Sequence, residues 1–156
     1  MSTSELLKDE IQVAEKPKVP GLHFRHFQGE SDYPLMVAVM EGCREVDERD
    51  WISSVEETAV DYAHLTNCDP TTDMIFVEVA GELVGYGRCW WYNMVDGSIA
   101  YYFFAHLLPE WRGTGIRLAM VRHLKQRLRQ MAADHPADKE KNFVNWGMQA
   151  ETHWIN

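Results

Sequence analysis

The sequence has no apolar run approaching the roughly 20 residues that a membrane-spanning helix needs. Its opening, MSTSELLKDEIQVAEKPKVPG, carries acids near the start and no long apolar core, so no signal peptide is predicted and no membrane association is expected. Cysteine is scarce. Cys43, Cys68 and Cys89 are odd in number, widely spaced and form no CxxC pair. That excludes a disulfide framework and a zinc ribbon, and predicts reduced thiols in a cytoplasmic protein. The seven histidines make no HExxH-like pair, so no metal is expected. Positive charge is also short. Fifteen Lys and Arg stand against 24 Asp and Glu, a net charge of -9, which disfavours nucleic acid and anionic membranes as partners. No repeat or low-complexity segment is present. What remains, 156 residues with 46% hydrophobic and 25% charged, suits one domain with a sizeable core.

Residues 1–20 read as a polar leader, closed by Pro17 and Pro20 and expected to be mobile or to lie over the surface. The domain proper is read as residues 21–156. LHFRHF (Leu22–Phe27) alternates with the strand period. Ser31 or Asp32 can cap a helix over about Pro34–Arg44, with Pro34 in its first turn. A second helix is expected over about Ser54–Leu65, with Val55, Ala59, Tyr62 and Ala63 inward, followed by the loop TNCDPTTD. In MIFVEVAGELVGYGRCWWYN, Ala80-Gly81 joins two strands as a hairpin, and Gly85 and Gly87 predict a bulge or a close approach. A third antiparallel strand, IAYYFFAHLL, ends at Pro109. A helix over about Thr114–Ala133 places Ile116, Met120, Leu124, Leu128 and Met131 on one face. NFVNWGM reads as a short strand, and QAETHWIN as the start of a helix. The expected fold is α/β (α+β), with a mixed, mainly antiparallel central sheet flanked by helices.

The chemistry-bearing segment is LLPEWRGTGIRLAM (Leu107–Met120). Gly113 and Gly115 stand between a strand and a helix, where backbone N–H groups can face an anion. A Walker A loop fails, because no lysine follows Gly115. A dinucleotide fingerprint fails, because Leu118 holds the third glycine position. A pyrophosphate cradle built from the N–H groups of residues 112–117 remains.

With its proline, aromatic, arginine and second glycine, Leu107-Leu108-Pro109-Glu110-Trp111-Arg112-Gly113-Thr114-Gly115-Ile116-Arg117 resembles the central motif of the GCN5-related N-acetyltransferases (the GNAT superfamily). The order of elements over residues 21–156 agrees with that family too. Arg117 departs from the motif, which ends in glycine or alanine. The resemblance implies an acyl-CoA-dependent N-acyltransferase that passes acetyl from acetyl-CoA directly to a small amine, with no metal. The cofactor-binding residues it implies are Leu107, Arg112, Gly113, Thr114, Gly115, Ile116 and Arg117. The strand end near Ala105–Leu107 should splay from NFVNW and take the pantetheine arm along its edge. Trp111–Ala133 contains Arg112, Arg117, Arg122, Lys125, Arg127 and Arg129 and no acid. Arg112 and Arg117 are the expected phosphate contacts, and Arg127 and Arg129 the solvated ones.

For the acceptor, Glu41, Asp47, Glu48 and Asp50 with Trp90, Trp91 and Tyr92 would suit a cationic amine, and equally describe a solvated acidic helix end beside core aromatics. Many family members draw a proton from a tyrosine four residues after an alanine. Here Ala150 leads to Trp154, and indole is no general acid. Tyr101 and His106 are the remaining catalytic candidates, each also suited to packing. The family fold normally adds two strands after this point. Their lack predicts a further C-terminal segment, or a homodimer through the open NFVNW edge. It also keeps a second reading in view: a non-catalytic acyl-CoA-binding or structural module, the silent half of a tandem protein.

Overall fold

The computed structural model describes residues 9–145. Five strands form one sheet in sequence order: β1 (Leu22–Arg25), β2 (Met74–Val79), β3 (Glu82–Asn93), β4 (Ile99–Leu107) and β5 (Lys141–Asn145). The first four are mutually antiparallel, and β5 runs parallel to β4. Parallel neighbours need a long crossover, supplied here by a helix over Ile116–Ala133. Two further helices of more than two turns precede β2. Helix α1 spans Tyr33–Cys43 and α2 spans Val55–Ala63, so the crossover helix is α3. No described helix is long and apolar enough to cross a membrane.

The sheet separates two cores. On one side Ile116, Met120, Leu124 and Leu128 of α3 meet Phe24, Ile75, Val77, Tyr101 and Phe103. On the other, Met36, Val39 and Cys43 of α1 meet Met74, Phe76, Tyr86, Trp90 and Phe104. Each fully buried apolar side chain contributes roughly 1.5–3 kcal/mol. Ala80 (φ 51) and Gly81 (φ 83) turn the β2–β3 hairpin, both with the positive φ that a twisted two-residue turn requires. The register shifts between Val77 and Glu78, opposite Gly85 and Leu83, which is the predicted bulge. Gly87 is the predicted close approach: a Cβ there would lie 2.7 Å from the Phe104 carbonyl and 2.9 Å from Leu124 Cδ1 of α3.

Three local expectations change. Asp32 stands at the cap position of α1, but its carboxylate accepts from Arg25 (2.8 and 3.1 Å) and from the Gln28 N–H (2.7 Å). The buried guanidinium outcompetes the helix end. Helix α2 begins at Ser54 with a reciprocal cap to Glu57, yet it buries Thr58 and exposes Ala63. Thr58 tolerates burial because its hydroxyl donates to Ser54 O (2.8 Å). Within TNCDPTTD, Asp69 caps a one-turn helix over Pro70–Asp73. From residue 9 onward the leader lies over the surface. Ile11 is buried and donates to Phe24 O (2.7 Å), Glu10 bridges Arg25 on the β1 edge, and Pro17 sits beside Gly115.

Candidate active site

Leaving β4, the chain makes a short turn over Pro109–Trp111 and must reverse to start α3. Gly113 (φ 82) and Gly115 (φ 90) make the reversal in the left-handed region, which glycine enters without a Cβ penalty. Gly115 is the N-cap of α3. The N–H groups of Gly113, Thr114 and Gly115 have no acceptor among the described residues. A Cβ at Gly113 would meet nothing within 4 Å, so the space beside the turn at that residue is open. Three donors without a protein acceptor among the described residues thus stand at the positive end of a helix dipole.

The other residues read from the motif do different work. The Arg112 N–H donates to Pro109 O (3.2 Å). Its guanidinium holds Asp47 through two bonds (2.7 and 2.8 Å) and donates to Leu107 O (3.0 Å). Asp47 is 1% exposed. This acid therefore serves Arg112, and it does not form an acceptor-facing cluster with its neighbours. Glu41 pairs with Arg44 on the surface (3.6 Å). Leu107 and Ile116 are buried in the core. Arg117 is 8% exposed, because its position, three before Met120, falls within the buried arc of α3. Farther along α3, Arg122 pairs with Glu15 and Arg127 with Asp73.

On the α1 and α2 side of the sheet, β3 and β4 wall a pocket of about 490 Å³. Arg88, Trp90 and Tyr92 come from β3, and Tyr102, Phe104 and His106 from β4, with Arg49 and His64 at the margin. The strand period of two selects these residues. Trp90 stacks on Tyr102 with centroids 5.5 Å apart and planes within 9°. Trp91 points through the sheet instead, against His135 (4.3 Å). Arg49 and Arg88 were not singled out in the sequence. Arg88 does carry a signal there, as the one charge in the alternating series Tyr86, Arg88, Trp90, Tyr92.

The two catalytic candidates part company. Tyr101 is fully buried on the α3 side, and its hydroxyl meets His135 Nδ1 at 2.6 Å. His106 lines the pocket, with Nδ1 3.4 Å from Arg49 Nη2. Burial first, then Arg49 and Arg117, push the His106 imidazole down to about 3, so it is neutral at physiological pH. An unfolded histidine titrates near 6.5. Between those values the unfolded chain binds a proton that the folded one refuses, so stability falls as pH drops from about 6.5 towards 3. Urea midpoints at about pH 7.5 and about pH 5 should show the fall, and His106→Gln should flatten it. An unchanged pH slope in that variant would contradict the assignment.

The described β4–β5 pairing ends at Phe103 and Asn145. The residues after Asn145, from which Ala105–Leu107 should splay, lie outside the described residues, as do Ala150, His153 and Trp154.

The fold as a whole recurs among solved structures. A GCN5-related N-acetyltransferase from Sphaerobacter thermophilus superposes with a TM-score of 0.68 at 16% identity, over 92% of this chain and 43% of that one. This chain therefore spans less than half the length of that relative. An aminoglycoside acetyltransferase from an uncultured soil metagenomic sample, in complex with sisomicin, gives 0.59 at 12% identity, over 86% and 83% of the two chains. The yncA protein of Salmonella typhimurium, with its cofactor acetyl-CoA, gives 0.55 at 14% identity, over 72% and 65%. No curated protein matches the sequence. The likenesses to solved structures are of fold. The sequence itself matches the Acetyltransferase (GNAT) family over residues 40–140, from the end of α1 through the glycine turn and α3, and the chain belongs to that family.

Proposed function

We propose that this protein transfers an acetyl group from acetyl-CoA directly to the amine of a small molecule. One observation carries the reading. The open N–H groups of Gly113, Thr114 and Gly115 lie just beyond β4, while His106 of that strand faces the aromatic pocket. A site for an anionic carrier and a site for an acceptor thus meet at one strand end. Acetyl-CoA supplies the acetyl group as a thioester: the amine nitrogen bonds to the carbonyl carbon, the carbon–sulfur bond breaks, and the proton shed by nitrogen ends on sulfur. The protein's own part is positioning. The turn N–H groups suit the pyrophosphate of coenzyme A, and Leu107 marks where its arm would enter the sheet edge. The pocket holds the amine near the reacting carbon, a contribution that can exceed that of any single proton-transfer group. With Nδ1 facing the Arg49 guanidinium (3.4 Å), neutral His106 carries its proton on Nε2 and can donate there to a carbonyl oxygen. The cysteines are free thiols, which supports a cytoplasmic setting.

A non-catalytic acyl-CoA-binding module is favoured by one feature: a histidine held down to about 3 is too weak a base to hold the departing proton. Calorimetry with acetyl-CoA, followed by thiol release against a panel of amines, separates the two. Binding with amine-dependent release supports transfer. Binding with no release across the panel supports the module. Absence of binding overturns both.

A further inference from the structure

We propose that Arg88 anchors a carboxylate of the acceptor, so that the acceptor is a free amino acid with an apolar or aromatic side chain. The inference rests on the acetyl-transfer reading and assigns the substrate class of the same pocket. Arg88 projects from β3 opposite Phe104 and lines the cavity. Its guanidinium carbon lies 4.5 Å from the Trp90 ring centroid, 5.3 Å from that of Phe104 and 5.3 Å from that of Tyr62. Among the described residues no carboxylate reaches it within ion-pair distance, and its Nε is buried without a hydrogen-bond acceptor.

That state is unusual for a half-buried charge. Buried ions are normally paired, because the desolvation cost is otherwise uncompensated. Aromatic faces offset part of it, and the guanidinium donates hydrogen bonds to the Tyr62 hydroxyl and the Cys68 thiol, but none of these brings a negative charge to the N–H groups of the fork, and Nε keeps no acceptor. Those groups match the two oxygens of a carboxylate. The nearby acids of other kinds offer no anion. Burial pushes the Tyr62 phenol up to about 12 and the Cys68 thiol up to about 11, so both stay protonated at neutral pH. Asp73, on the neighbouring one-turn helix, takes Arg127 (2.7 Å).

The rest of the pocket narrows the ligand. Trp90, Tyr92, Tyr102 and Phe104 form apolar walls, and no acid stands among the described lining residues. A polycationic amine would face the Arg88 guanidinium with no acid among the described lining residues to receive it. An amine that brings its own carboxylate and an apolar side chain satisfies the guanidinium and the walls together. His106 lies two residues beyond Phe104 on β4, roughly 7 Å along the strand, on the way to the glycine turn. The carboxylate at Arg88 therefore leaves the amine directed towards the acyl-transfer end.

The experiment compares three acceptors, phenylalanine, phenylalanine amide and phenethylamine, in the wild type, Arg88→Gln and Arg88→Lys. Thiol release from acetyl-CoA is followed, and calorimetry reads binding of N-acetylphenylalanine and its amide. Thermal midpoints check that the variants fold. The wild type should favour phenylalanine over both analogues by at least tenfold in kcat/KM. Arg88→Gln should erase that preference by raising KM for phenylalanine alone, with Arg88→Lys intermediate. N-acetylphenylalanine should bind at least tenfold more weakly to Arg88→Gln. Equal use of all three acceptors by the wild type, or an equal loss on all three in Arg88→Gln, overturns the anchor. Calorimetry keeps the two proposals apart. If acetyl-CoA binds and no acceptor is turned over, the transfer reading fails. Arg88-dependent binding of N-acetylphenylalanine would still uphold the anchor, and indifference to Arg88→Gln would end it.

Discussion

Replacing Gly115 with valine should raise the Kd for acetyl-CoA on the order of 30-fold or more, about 2 kcal/mol, while leaving the protein folded. Gly115 sits at φ 90, ψ -6 as the N-cap of α3. Residues with a Cβ enter that region at a cost of roughly 1–2 kcal/mol, and a β-branched side chain is the least able to do so. Steric exclusion is not the cause: a Cβ there would lie 3.5 Å from Pro17, an ordinary contact. The strain is in the backbone. The turn relieves it by rotating the peptide units whose N–H groups form the proposed cradle. Gly115→Asn is the internal control, since asparagine tolerates the left-handed region. It should keep most of the affinity. Calorimetry reads both variants, and a valine variant that binds as tightly as the wild type would dismiss the turn as the coenzyme A site.

Asp47→Ala should cost about 3–5 kcal/mol of folding stability, the usual penalty for removing one partner of a buried pair. Native domains hold only about 5–15 kcal/mol in total, so this is among the largest single-residue losses expected outside the apolar cores. The Asp47 carboxylate takes two bonds from Arg112 (2.7 and 2.8 Å) at 1% exposure. Arg112 in turn holds Leu107 O (3.0 Å), so the pair pins the glycine turn to the end of β4 and to the loop after α1. Alanine leaves a buried guanidinium without its anion, and Asp47→Asn, which keeps the shape, should be milder. In Asp47→Ala combined with Arg112→Met the stranded charge is gone, and part of the loss should return. Urea midpoints decide: a shift in Asp47→Ala worth under about 1 kcal/mol would make the pair a surface-like contact. Acetyl-CoA affinity should fall in the same variant, because the turn loses its brace.

Much of the fold was legible in the chain because the signals are local. The alternation at Leu22–Phe27, the Ala80-Gly81 hairpin and the series Ile116, Met120, Leu124, Leu128 and Met131 each depend on neighbours a few residues away. They returned as β1, the β2–β3 turn and the inner face of α3. The glycine turn was legible for the same reason. Gly113 and Gly115 allow a backbone shape that few other residues adopt. Where each charged side chain finds its partner is a different matter. Asp47 looked like part of an exposed acidic run, and the fold set it against Arg112, 65 residues away. Asp32 had the residue type of a helix cap, and the fold turned it to Arg25. Arg88 became a candidate anchor only when pairing with β4 set Phe104 beside it and the helices left a pocket over that face. Backbone conformation answers to dihedral limits and periodicity, which a sequence displays directly. Charge pairing answers to desolvation, and what a charge is buried against is decided only when distant segments pack.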